Sequence, residues 1–177
     1  GVVDIDTVLG YQQARAAGTG IVLTSSGEIL TNNHVVEGAT KISVTVVSTG
    51  RTYAGTVVGT DPTQDIAVIQ LSGASSLQTA NLGDSSSLHT GASVTGVGNA
   101  GGTGGVPSVA PGTVTAINRT ITASDDSGQG AETLRNVLAT DPPTPAATPG
   151  RPPVHSHGTT LAPAPPPVAT GPSPTHR

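Results

Sequence analysis

Cysteine, methionine, tryptophan and phenylalanine are all absent from this chain of 177 residues, and Tyr11 and Tyr53 are its only aromatic side chains. Aromatic residues dominate core energetics in most domains. Any core here is therefore built from Val, Ile, Leu and Ala, and is expected to be thin. The lack of cysteine removes a disulfide framework and leaves the compartment open. Charge is also scarce, with 10% of residues charged and seven basic against eleven acidic side chains. No basic stripe with interleaved aromatics occurs, so nucleic acid is not an expected partner. No apolar run approaches the ~18 residues of a membrane-spanning helix, and no membrane span is expected. The chain opens on Gly1 rather than Met, as a processed product or a fragment would.

What is present divides sharply. All eleven acidic residues lie at or before Asp141, whereas twelve of the fifteen prolines lie from Pro142 onward. Residues 1–141 hold five basic and eleven acidic side chains, a net charge of −6, and the remainder holds only Arg151 and Arg177. Such a shift marks a domain edge. The segment 142–177 is Pro, Ala, Thr and Gly without a period, too poor in apolar side chains to offset chain entropy, and is expected to be disordered.

Before that edge the pattern is β. Residues 5–17 fit either a short helix or a strand. Ile21–Thr24 and Ile29–Thr31 flank Ser25-Ser26-Gly27-Glu28, a hairpin signal. Ile42–Val46 alternates apolar and polar with period two, as a half-buried strand does. Further strands are expected at Arg51–Val58, Ile66–Leu71, Ala92–Val97 and Gly112–Ile117, with a Ser-rich joint at 72–87 and a glycine-rich loop at 98–105. Short, regularly spaced strands with turn signals indicate an antiparallel barrel or sandwich.

Two segments carry chemistry. His34 follows the strand ending at Thr31 and opens the apolar turn Val35-Val36, a rim position. Asp65 precedes Ile66-Ala67-Val68-Ile69, which puts its carboxylate at a strand mouth beside low-dielectric packing. Singly, each has an ordinary explanation as a surface histidine or a turn aspartate. Together, in this order and with these flanks, they fit a general base and the carboxylate that orients it.

Gly18-Thr19-Gly20-Ile21-Val22, Thr31-Asn32-Asn33-His34-Val35-Val36 and Thr63-Gln64-Asp65-Ile66-Ala67-Val68 resemble the bacterial HtrA/trypsin-like serine proteases, in particular secreted PepA-like members of GC-rich bacteria. Gly98-Asn99, Pro111-Gly112-Thr113-Val114 and the stretch from Glu132 to Asp141 are similar to later segments of that family. The resemblance covers roughly residues 1–141. It implies a chymotrypsin-like double β-barrel, with a first barrel over 1–80 and a partial second barrel over 81–141. It also implies His34 as general base, Asp65 as its carboxylate, protein or peptide substrates, and a secreted or cell-envelope, periplasm-like location.

The family's Gly-Asp-Ser-Gly nucleophile segment should follow Asp141. The chain instead reads Pro142-Pro143-Thr144-Pro145-Ala146-Ala147-Thr148-Pro149-Gly150. Read from the third base of the Pro142 codon, the same bases permit Ala-Asn-Pro-Gly-Gly-Asp-Ser-Gly, with the serine triplet near Thr148-Pro149. The expectation is a frameshifted protease end, an out-of-frame tail, no nucleophile and no activity. The incomplete second barrel is expected to promote non-specific self-association. A second class stays open: a non-catalytic secreted β-domain whose Pro-rich tail makes it a binding or surface module.

Other signals are set aside. Gly96-Val97-Gly98-Asn99-Ala100-Gly101 matches a dinucleotide fingerprint, but the following residues cannot open the helix it needs, and a mobile loop is expected. His155-Ser156-His157 lacks further ligands in fixed geometry, so no metal site is expected, and no cofactor. Pro163-Ala164-Pro165-Pro166-Pro167 could form polyproline II, and Asn118-Arg119-Thr120 fits a glycosylation sequon.

Overall fold

The computed structural model describes residues 1–10, 14–123, 132–141 and 160–163. Six strands close into an antiparallel barrel: β1 (Val2–Leu9), β2 (Ala14–Val22), β3 (Glu28–Thr31), β4 (Ala39–Val46), β5 (Arg51–Asp61) and β6 (Ile66–Leu71). Around the barrel the order is β1-β2-β3-β6-β5-β4, with β4 returning to pair with β1. One short helical turn, α1 (Asn33–Val36), connects β3 to β4.

Period-two alternation turns one face of each strand inward. On β4, Ile42, Val44 and Val46 are buried, and on β6, Ala67, Ile69 and Leu71 are. Val3, Ile5, Val22 and Ile29 complete the centre, and Tyr53 is a buried aromatic among them. Burying each aliphatic side chain of this size contributes about 1.5–3 kcal/mol. Packing is close at Gly55, where a Cβ would lie 2.6 Å from the Ile69 Cγ2 methyl. The barrel is too narrow for a side chain there.

Several boundaries differ from those expected. Within the ambiguous stretch 5–17, residues 5–9 and 14–17 are strand, because β1 and β2 pair from Val2 with Ile21 to Leu9 with Ala14. The hairpin between β2 and β3 is shorter than expected, pairing Ile21 with Leu30 and Val22 with Ile29.

The second sheet has the order β10-β7-β8-β9, from β7 (Ser93–Gly98), β8 (Ser108–Ala123), β9 (Glu132–Asp141) and β10 (Thr160–Pro163). It is all antiparallel and, among the described residues, does not close. Val94 and Val114 are its buried apolar side chains among those described. The fold is thus all-β, with one complete barrel and an incomplete second one. β8 is longer than the strand expected at Gly112–Ile117. Pro111 is tolerated because β9 pairing starts only at Thr113, so that side of β8 needs no donor at Pro111. Four residues of the tail expected to be disordered, Thr160–Pro163, are strand β10, which supplies β7 with a partner on its otherwise open edge. The rest of that tail, including Thr148-Pro149, His155, His157 and Ala164–Pro167, lies outside the described residues.

Candidate active site

Strand register brings the two chemical segments together. β3 pairs with β6 so that Thr31 lies opposite Ala67. Continuing each chain past that pair places Asn32 and α1 beside the turn that ends in Asp65. Thr31 Oγ1 donates to the Thr19 carbonyl at 2.8 Å in a buried contact, which holds the end of β3 against β2. Gly18 leaves room for Val35, whose Cγ2 would stand 2.6 Å from a Cβ at that position. Val35 and Val36 are buried, and they anchor α1 while His34 stays on its outer side.

His34 Nδ1 lies 2.7 Å from Asp65 Oδ2. The imidazole is 41% exposed, whereas the carboxylate is 3% exposed. Asp65 Oδ1 accepts the His34 backbone N–H at 2.9 Å. The Asn32 side-chain amide donates at 3.0 Å to Asp65 Oδ2 and at 3.1 Å to the Asp65 carbonyl. A carboxylate only accepts, so the ring proton sits on Nδ1 and the Nε2 lone pair of the neutral ring points away from Asp65. Asp65 has a φ of 52°, in the left-handed region that Asp tolerates better than most residues. Chemically, the pair presents an exposed base whose tautomer is fixed by a buried carboxylate. Sequence reasoning named both residues and did not assign a role to Asn32.

The serine closest to the missing motif in wording, Ser85 of Gly83-Asp84-Ser85-Ser86, belongs to a surface turn. Asp84 caps that turn, accepting the Ser86 N–H at 2.9 Å, and the Ser86 hydroxyl and N–H together hold its carboxyl below the usual range.

The glycine-rich loop after β7 is hydrogen-bonded to the first barrel. The Asn99 N–H donates to Thr19 Oγ1 at 2.8 Å, and the Gly104 N–H donates to Asn99 Oδ1 at 2.8 Å. The Gly105 N–H donates to Asp4 Oδ2 at 3.0 Å. Gly101, Gly102, Gly104 and Gly105 all have positive φ, and the Gly102 N–H, like that of Gly104, turns back onto Asn99. Asp4 thus accepts one N–H from this loop, and no dinucleotide helix follows.

Asp4 is buried, and desolvation pushes its carboxyl above the ordinary value of 3.8. The Gly105 N–H acts in the opposite direction, and the charge of Asp6 adds to the rise. The folded state therefore holds this proton more tightly than the unfolded chain. Stability from this group is present below 3.8 and falls as pH rises through the higher folded value. Asp4→Asn keeps an acceptor for Gly105 without a buried charge. It is expected to flatten the stability–pH profile in that window and to leave the neutral-pH melting midpoint equal or higher. An unchanged slope in acid melting curves would contradict this.

Comparison with known proteins accords with this geometry. Residues 18–159 match the family described as trypsin-like peptidase domain. The chain belongs to that family. It is similar to the serine protease PepD of Mycobacterium tuberculosis, at 40% identity over 149 residues, covering 79% of this chain and 31% of that protein. It is also similar to the periplasmic serine endoprotease DegP of Escherichia coli, at 37% identity over 131 residues, covering 73% and 26%. The chain thus spans less than a third of the length of these relatives.

Among solved structures it resembles the HtrA-type protease AlgW with a decapeptide, at a TM-score of 0.62 and 28% identity, covering 80% of this chain and 48% of that one. It also resembles the active form of the Rv3671c protease of M. tuberculosis, at a TM-score of 0.65 and 25% identity, covering 80% and 59%. This trypsin-fold chain is a bacterial HtrA-like serine protease homologue with a chymotrypsin-like architecture.

Proposed function

We propose that the chain descends from a secreted or periplasmic endopeptidase acting on proteins or peptides, with His34 as general base and Asp65 as the carboxylate that orients it. The observation that carries this reading is the 2.7 Å contact between a buried carboxylate and a half-exposed imidazole. In an intact protein of this kind, Nε2 takes the proton of a serine hydroxyl as that oxygen attacks the scissile carbonyl. Asp65 stabilises the imidazolium that forms. The peptide held by AlgW and the periplasmic name of DegP support the substrate class and the location.

In the chain as it stands, the segment after Asp141 holds no Gly-Asp-Ser-Gly, and on this reading the dyad is idle. A shift of frame near Pro142 accounts for the Pro-rich residues 142–177. Resequencing across codons 135–152 tests the frame, and a fluorophosphonate probe tests the site. No labelling is expected, and covalent labelling of this polypeptide would defeat the proposal of an inactive chain. Val106 at 94% and Val109 at 64% exposure support self-association beside the incomplete sheet. A concentration-independent monomer in light scattering would remove that part.

A further inference from the structure

Asn32 occupies the N-cap of α1, with φ −85° and ψ 147°, yet its side chain makes no capping bond. An asparagine at this position ordinarily accepts a backbone N–H from the first turn of its own helix. Here that bond is made from across the site: the His34 N–H, second in the helix, is accepted by Asp65 Oδ1 at 2.9 Å. Asn32 thereby has its amide free, and both of its contacts go to Asp65, at 3.0 Å to Oδ2 and 3.1 Å to the carbonyl. Both partners are pure acceptors, so the group facing them must be the NH₂ end. One contact fixes the carboxylate that meets the imidazole. The other holds the backbone of a non-glycine residue at a φ of 52°.

We infer that Asn32 is a positioning residue of the dyad: it gives up capping its own helix to clamp Asp65, while Asp65 caps the helix that carries His34. This rests on the proposed roles of His34 and Asp65. The exchange is reciprocal. Asp65 fixes His34 through both ring and backbone, and Asn32 fixes Asp65 through both carboxylate and backbone. The clamp reaches the imidazole only through Asp65.

The imidazole tautomer of His34, read from its ¹⁵N shifts in the full chain at neutral pH, tests this inference. Asn32→Ser retains a preferred N-cap residue but is too short to donate to Asp65. Asn32→Asp retains shape and capping capacity but faces the two acceptors with a third. With the barrel amide spectrum intact, each variant is expected to lower the ratio of Nδ1–H to Nε2–H ring forms by about fivefold, the effect of one net hydrogen bond. Asp65→Asn serves as the reference and is expected to lower it further. A wild-type ratio in both Asn32 variants, with the ratio lowered in Asp65→Asn, overturns the role of Asn32 and leaves the dyad standing. A wild-type ratio in Asp65→Asn as well overturns the dyad reading, and the clamp falls with it.

Discussion

Restoring the frame by one inserted base at the Pro142 codon is expected to turn an inert chain into a protease that a fluorophosphonate labels. Replacing His34 by Ala in that restored protein is expected to lower kcat by about 10⁶-fold, because base and nucleophile act as one unit. Asp65→Asn is expected to cost about 10⁴-fold by freeing the wrong tautomer. On the proposed reading, the unrestored chain would lack both the nucleophile and the neighbouring N–H groups that stabilise an oxyanion. The loss of one such donor alone costs about 10²–10³-fold. The decisive comparison is casein hydrolysis by the restored protein with and without His34. Restored protein that folds and stays inert would count against the frameshift. Restored activity indifferent to His34 would count against its role.

The second large effect is on stability. Asp65 accepts three hydrogen bonds through its carboxylate, and a fourth contact reaches its carbonyl. Asp65→Ala is expected to destabilise the barrel by about 3 kcal/mol. The Asn32 amide and the His34 N–H lose their acceptor in a part-buried site, at about 1–3 kcal/mol for each such group. The half-exposed imidazole adds little, since solvent screens it. Backbone strain provides an internal control. At a φ of 52°, alanine is disfavoured by about 1–2 kcal/mol, and glycine is not. Asp65→Gly is therefore expected to be less harmful than Asp65→Ala, despite removing one more carbon. Asp65→Asn, which keeps an acceptor for the His34 N–H, is expected to be the mildest of the three. Urea unfolding midpoints would show this order, and equal midpoints for the Gly and Ala variants would disprove the strain argument.

His34 and Asp65 were legible in sequence because each sits in a short segment whose flanks are distinctive. The alternation Ile42–Val46 foretold β4, and Ile66–Leu71 foretold β6, since a half-buried strand imposes its period directly on the residues. Residues 5–17 stayed ambiguous because alanine and glycine at positions 14–20 carry almost no period; pairing with β1 makes them strand. The strand expected from Gly112 starts earlier, and only the staggered start of β9 shows why β8 runs through Pro111. Asn32 was hidden for a different reason. An asparagine before a helical turn has a sufficient local explanation as a cap, and its actual partner lies 33 residues away across a pairing that local patterns do not encode. Asp4 was equally silent, an acidic residue near a terminus whose contact is the Gly105 N–H, 101 positions further on.

Among the described residues, the main apolar cluster draws every member from between Val3 and Leu77, and no strand of the second sheet contributes to it. A lesion after Asp141 therefore removes no member of that cluster. The segment after Asp141 and the first barrel's core are thus separate along the chain. On the proposed reading, a gene whose frame shifts after codon 141 would still encode every residue of the first barrel's apolar cluster.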